Sequence, residues 1–134
     1  MVAGLREALK EMSVEADAAN EFKDYIERKS VTWTPGRREL DCLFHMPKRL
    51  KIKDVKKKMG GFIYFHGGAG LAGSAEEDGA MCDRWAHECG VMVISVNYRL
   101  APEHVCPAGP EDGYDVVKFF TKQRNANNFF REHF

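Results

Sequence analysis

Gly61-Phe62-Ile63-Tyr64-Phe65-His66-Gly67-Gly68-Ala69-Gly70 sets a short, nearly continuous apolar run directly against a glycine-rich turn. Five residues rich in aromatic and branched side chains, with no polar alternation, match a strand buried on both faces, as in a parallel sheet covered by helices. Val91 to Val96 is a second run of the same kind. Between them, Ala75 to Cys89 reads as a helix: Glu76, Glu77 and Asp78 suit its first turn, Met81, Trp85 and Cys89 share a face, and Gly90 stops it. Strand, helix and strand of these lengths predict a βαβ unit with parallel strands and a right-handed crossover.

The glycine-rich turn falls at the C-terminal end of the first strand, where parallel α/β sheets carry ligand and catalytic loops. Adjacent glycines allow backbone conformations closed to other residues and let a substrate approach the peptide N–H groups. Two N–H groups aimed at one point can bind the negative oxygen that develops when an ester carbonyl becomes tetrahedral. Taken alone, the loop could equally be a turn or a phosphate cradle. No Gly-Lys-Ser/Thr follows it, so the Walker pattern falls away; Gly68-Ala69-Gly70-Leu71-Ala72-Gly73 does match Gly-x-Gly-x-x-Gly, which on its own leaves a dinucleotide cradle open.

Upstream, Val14, Ala18, Phe22, Tyr25 and Ile26 recur at helical spacing and predict an amphipathic helix over Ser13 to Lys29 that covers a core. Val31 to Trp33, a turn at Pro35-Gly36, and alternating Leu40, Cys42, Phe44 and Met46 predict a hairpin. Seven of the eleven residues from Lys48 to Lys58 are basic, but no aromatic is interleaved and no nucleic-acid motif is present, so the stretch reads as a solvated loop. Downstream, a helix is expected from near Pro110, presenting Tyr114, Val117 and Phe119 or Phe120 to a core and ending near Lys122 to Arg124. The tail, Asn125 to Phe134, has no clear period.

A second motif, Asn97-Tyr98-Arg99-Leu100-Ala101-Pro102-Glu103-His104, follows the second buried strand, with Pro107-Ala108 and Glu111-Asp112 beyond it. A His-Gly-Gly loop, a helix, an apolar strand and then Tyr-Arg-Leu-Ala-Pro-Glu-His together resemble the hormone-sensitive-lipase branch of the α/β-hydrolase fold, which includes bacterial esterases, arylacetamide deacetylase and plant carboxylesterases. The resemblance covers about Gly60 to Phe120. It implies an oxyanion hole built from the N–H groups of Gly67 and Gly68, assisted by Ala69, in a loop shaped by His66 and Gly70. Tyr98, Arg99, Pro102, Glu103, His104 and Asp112 become a structural motif, in which Arg99 is expected to pair with Glu103 or Asp112. It further implies a small-molecule ester as substrate and no metal or cofactor.

Two positions depart from the family pattern. Ala69 replaces the third glycine of His-Gly-Gly-Gly, which a backbone-donating loop tolerates where φ is negative, and Cys106 stands where an aromatic is common. The larger departure is chemical. The family's serine lies in Gly-x-Ser-x-Gly, followed by an acid and a late histidine, whereas none of Ser13, Ser30, Ser74 and Ser95 has glycine two positions before and two after. The expected fold class is therefore the N-terminal part of an α/β-hydrolase sheet, hairpin then βαβ with flanking helices, left incomplete. Residues 1–30 form a helical region that suits a cap, and 31–134 a truncated hydrolase domain. The implied function is a partial carboxylic-ester hydrolase without a catalytic triad of its own. The alternatives are a non-catalytic ligand binder on a hydrolase scaffold and an interaction fragment that pairs through its sheet edge.

Charge supports no other partner class: 20 basic and 20 acidic side chains leave no net field towards nucleic acid or an anionic membrane. No apolar run is long enough for a membrane span, and Met1 to Met12 lacks a signal-peptide core, which with four cysteines read as reduced thiols points to the cytoplasm. On one helix, Cys82 and Cys89 would stand about 10 Å apart, too far to bridge. With His87 between them they match no common zinc spacing.

Overall fold

A computed structural model describes residues 1–50 and 60–134, so most of the basic stretch from Lys48 to Lys58 lies outside the described residues. The chain runs through helix α1 (Val2–Ala18), a 3-10 turn (Lys23–Tyr25), strands β1 (Ile26–Trp33), β2 (Leu40–Pro47) and β3 (Gly61–Phe65), helix α2 (Gly79–Cys89), strand β4 (Met92–Asn97), and helices α3 (Ala108–Phe120) and α4 (Gln123–His133). The strands form one sheet in the order β1-β2-β4-β3. β1 and β2 make the expected antiparallel hairpin, with Val31 opposite Cys42 and Trp33 opposite Leu40. β4 is antiparallel to β2 and parallel to β3, with α2 crossing between the parallel pair.

The two-residue period of the strands sorts their side chains onto two faces. Val31, Trp33, Cys42, Phe44, Met92, Ile94 and Val96 point to one, where Val116 of α3 and Phe129 of α4 close the main core. On the other, Ile26 and Val93 meet Cys82 and Ala86 of α2. His45, between Phe44 and Met46, also points to this second face, and it is fully buried there beside Asp83.

Several elements differ from their sequence expectations. Helix α1 ends at Ala18 rather than near Lys29, because Asn20 folds its side chain back to accept the N–H of Phe22 at 3.0 Å, which turns the chain. Ile26 to Ser30 consequently belong to the sheet. The side of α1 turned to the protein carries Val2, Arg6, Leu9, Ser13 and Asp17, while Val14 and Ala18 face outward, so this helix is held by polar contacts rather than an apolar stripe. α2 starts at Gly79, and its buried face is Gly79, Cys82, Asp83 and Ala86 instead of Met81, Trp85 and Cys89. Asp78 is spent elsewhere, its carboxylate accepting a hydrogen bond from the Tyr64 hydroxyl at 2.8 Å. Gly90 ends α2 in the left-handed region, φ 65°, as its position suggested. In α3 the buried positions are Ala108, Asp112 and Val116, and Tyr114 and Val117 are exposed. The unassigned tail is helix α4, whose buried Phe129 packs on Trp33 and Phe44.

β3 departs most. Its composition is that of a central strand, yet among the described strands it stands at the sheet's edge, with Phe62 45% and Phe65 39% exposed, whereas Val93, Ile94 and Val96 of β4 are at most 3% exposed.

Candidate active site

The chain leaves β3 at His66, and three contacts hold that residue. Its ring stacks on Tyr98, centroids 4.3 Å apart and 16° from parallel. The Tyr98 hydroxyl donates to the His66 carbonyl at 2.6 Å, and His66 Nδ1 lies 2.8 Å from the Gly67 carbonyl, so Nδ1 carries the proton. Burial pushes the imidazole pKa below its usual value despite that bond, keeping the ring neutral. A buried, neutral, stacked ring fixes the loop's exit from the sheet.

Beyond it, the Gly68 carbonyl accepts the N–H groups of both Leu71 and Ala72, at 3.0 and 3.1 Å. This tight turn needs φ of 114° at Gly68, and a Cβ there would overlap the Ala72 carbonyl. Gly73 is equally constrained: φ is 96° and a Cβ would overlap His66 Nδ1 and the Gly67 carbonyl. Gly67 is the opposite case, with nothing within 4 Å of its Cβ position. Among the described residues, no acceptor takes the N–H of Gly67, Gly68 or Ala69. Gly70 ties the loop to the second motif, its carbonyl accepting the Ala101 N–H at 2.8 Å.

Ala69 has φ of 57°, so the condition under which alanine is tolerated is not met: it occupies a left-handed position that favours glycine. An alanine there costs roughly 1–2 kcal/mol, against about 0.4–1 kcal/mol of added unfolded-chain entropy when glycine replaces it. Ala69→Gly is therefore expected to stabilise the fold by about 0.5–1 kcal/mol, read as a higher urea midpoint at unchanged slope. A lower midpoint would contradict the strained backbone.

Helix α1 lies over this loop. Leu9, Met12, Ser13 and Ala16 face Gly67, Gly68, Glu77 and Asp78 across a cleft of about 270 Å³. Arg6 latches the helix to both loops: its guanidinium donates to both carboxylate oxygens of Glu103 at 2.8 Å, to the Leu71 carbonyl at 2.9 Å and to the Ala101 carbonyl at 3.1 Å. Those hydrogen bonds hold the Glu103 pKa down to about 2. Nothing in the sequence near Arg6 signals a partner 97 residues away.

The second motif thus divides. Arg99 takes Asp112, with Nε 2.8 Å from Oδ2 and Nη2 2.8 Å from Oδ1, while the Arg99 N–H donates to the same carboxylate at 3.0 Å. Glu103 is exposed and belongs to Arg6 instead, and Pro102, His104 and Cys106 are exposed. Asn97, just before Tyr98, is a further brace: its amide oxygen accepts the Ala75 N–H at 2.6 Å and its nitrogen donates to Asp41 at 3.0 Å.

Reactive groups near the cleft are few. Ser13 is the serine among its lining residues, its hydroxyl 3.4 Å from the Glu76 carbonyl, and none of the described lining residues is a histidine. Ser95 is fully buried in β4. Burial pushes the Cys82 thiol up to about 12 and Cys42 further still, so neither is a thiolate at neutral pH. Cys82 and Cys89 are unpaired, as their separation on α2 requires. Among the described residues, no cluster of potential ligands could hold a metal ion.

The model of the alpha/beta hydrolase fold family matches residues 62–132, a span that runs from within β3 through the glycine loop, the crossover and α3 into α4. The chain belongs to the α/β-hydrolase family. Its similarity reaches arylacetamide deacetylase of Oryctolagus cuniculus, 42% identical over 81 residues covering 59% of this chain and 19% of that protein. Ethyl acetate hydrolase of Pseudomonas putida is 28% identical over 134 residues, 90% of this chain and 42% of the relative. The structure superposes on the esterase of Pyrobaculum calidifontis with a TM-score of 0.76 and 28% identity, covering 95% of this chain and 39% of that one. These relatives place the α/β-hydrolase chain in the hormone-sensitive-lipase-like branch. It spans less than half the length of each. No helix among the described residues is long and apolar enough to cross a membrane.

Proposed function

We propose that this α/β-hydrolase chain is the oxyanion-binding part of a serine carboxylic-ester hydrolase. One observation carries the reading: the N–H groups of Gly67 and Gly68, left without acceptors among the described residues, border a cleft roofed by α1. In the complete enzyme a serine attacks the ester carbonyl, and these two N–H groups, with that of Ala69, receive the oxygen as it gains negative charge. His66, Gly70 and Tyr98 keep the loop in that form, and the Arg99–Asp112 pair fixes the neighbouring turn. α1 is the cap over the site, latched by Arg6 to Glu103. A cleft of about 270 Å³ suits a small ester, the substrate type for which the Pseudomonas relative is named. The chemistry requires no cofactor, metal or nucleic acid. A cytoplasmic location is part of the proposal, and four cysteines without disulfide partners suit it.

The test is a fusion of the whole chain to the portion of the Pyrobaculum calidifontis esterase that follows its matched segment. The fusion is expected to hydrolyse p-nitrophenyl butyrate, whereas the chain alone gives no turnover above background. A folded fusion without turnover would sink the reading, as would turnover by the isolated chain that a serine-directed inhibitor abolishes.

A further inference from the structure

The cleft between α1 and the glycine loop carries charge of one sign. Its roof, Leu9, Met12 and Ala16 with the Ser13 hydroxyl, has no ionisable group, and the charged residues on its floor are Glu77 and Asp78. Glu76, exposed, precedes them, so three consecutive acidic residues lead into α2 in a chain whose charges balance overall. Among the described residues, none of the three forms an ion pair. Arg28, beside Gly79, is taken by Asp17 and Asp83. Asp78 accepts the Tyr64 hydroxyl, a neutral donor that leaves the charge of the carboxylate in place. Neighbouring groups register that charge. Burial, then the charges of Asp78 and Glu76, push the Glu77 carboxyl above its usual value, and burial with the charge of Asp78 pushes the Tyr98 hydroxyl up. Only fully buried carboxyls rise far enough to be protonated at neutral pH, and Glu77 is half-buried, so it remains an anion there.

An anionic floor is at odds with the chemistry beside it. The N–H groups of Gly67 and Gly68 border the same cleft and mark it as a binding site independently of the acids. On the proposed function they receive an oxygen that is gaining negative charge, and neighbouring carboxylates destabilise that charge. A substrate that brings its own cation removes the conflict, because the cation pairs with the carboxylates and offsets them as the oxyanion forms. We propose that Glu77, assisted by Asp78, selects esters bearing an alkylammonium group over neutral esters of equal size and over anionic ones. An alkylammonium fits both surfaces of the cleft. Its charge meets Glu77 and Asp78, and its methyl groups meet Leu9, Met12 and Ala16, against which a strongly hydrated inorganic cation would lose water without replacement. The inference rests on the proposed function, which makes the cleft an ester site.

The experiment titrates the full chain at neutral pH with acetylcholine and with 3,3-dimethylbutyl acetate, which has the same shape without the charge, and follows the Gly67 and Gly68 amide resonances by NMR. Both amides are expected to shift, with acetylcholine bound about tenfold more tightly, the effect of a partly exposed charge partner. Glu77→Gln should reduce that ratio to about threefold or less, and Glu77→Asp, which keeps the charge, should retain most of it. The ion pairs among the described residues do not involve the Glu77 side chain, so glutamine there should leave the fold intact, and circular dichroism checks it. The inference is overturned if neither ester moves these amides, if both bind equally, or if folded Glu77→Gln keeps the full preference. Turnover of p-nitrophenyl butyrate by the fusion is read separately. A cation preference without turnover sinks the hydrolase reading and leaves the charge selection standing, whereas turnover without a cation preference does the reverse.

Discussion

Replacing Asp83 with alanine is expected to cost about 3–5 kcal/mol of folding free energy, the range for removing one partner from a buried charge cluster. Asp83 sits on the inner face of α2 and accepts four side-chain donors: Arg28 Nη2 at 2.8 Å and Nε at 3.1 Å, His45 Nδ1 at 2.6 Å and Asn20 Nδ2 at 2.7 Å. Both Asp83 and His45 are fully buried, and His45 Nε2 has no partner among the described residues. Without the carboxylate, His45 has neither ring nitrogen satisfied, and Arg28 retains only Asp17, 2.5 Å away. The cluster joins the end of α1, β1, β2 and α2, so its loss loosens the seating of the cap helix as well as the sheet. By contrast, the Arg6–Glu103 pair at the other end of α1 has side chains 36% and 55% exposed, where such pairs are worth about 0–1 kcal/mol. The anchor of α1 is therefore Asp83, and Arg6 is a latch. Urea titration decides the matter, with a loss below about 1 kcal/mol contradicting the assignment.

The same cluster sets a pH dependence. Burial alone would raise the Asp83 pKa, but hydrogen bonds from His45 and Arg28 and the charge of Arg28 outweigh it and hold the carboxyl below its usual value. A carboxylate depressed in the folded state contributes stability that is complete above its unfolded pKa and is lost as pH falls through the folded value. The unaltered chain should accordingly lose stability on the acid side, and Asp83→Ala should lack that share of the loss.

Which parts of this were legible in the sequence follows from how local each cause is. The β3-α2-β4 crossover and the hairpin were readable because each rests on periodicity and turn residues within its own segment. The glycine loop was readable with its exit, since His66 to Gly70 and Tyr98 to His104 are contiguous motifs. Helix α4 left a thin trace: Ala126, Phe129, Phe130 and Phe134 stand at helical spacing, but four positions among polar residues do not announce a period. What could not be read depends on long-range pairing. Arg6 finds Glu103 and Asp83 finds Arg28 and His45 only once the sheet has brought distant segments together. The buried face of α2 departs from its sequence expectation for the same reason, because an acidic residue turned inward makes sense only opposite an arginine and a histidine on other strands. Ala69 shows a further limit, since the sign of φ at one residue is set by the turn around it and not by its own preference.

Gly68→Ala and Gly67→Ala, placed in the fused enzyme, should separate by about one to three orders of magnitude in kcat. At Gly68 the added methyl meets the Ala72 carbonyl, and φ of 114° is a conformation alanine strongly resists. The turn that brings the Leu71 and Ala72 N–H groups onto the Gly68 carbonyl must open, and the peptide N–H groups on either side rotate with it. Losing one donor from an oxyanion site lowers kcat by about 10²- to 10³-fold, and that is the expected effect of Gly68→Ala. At Gly67 the methyl enters open space in the cleft, so the backbone stays in place and kcat should fall no more than about tenfold, with any larger penalty confined to KM. The pair holds composition constant, one methyl added to one of two adjacent glycines, and varies only whether the backbone can keep its shape. Steady-state kinetics with p-nitrophenyl butyrate checks it. Equal effects of the two substitutions would mean that the loop contributes space rather than aligned N–H donors, and the oxyanion role would have to move to other groups.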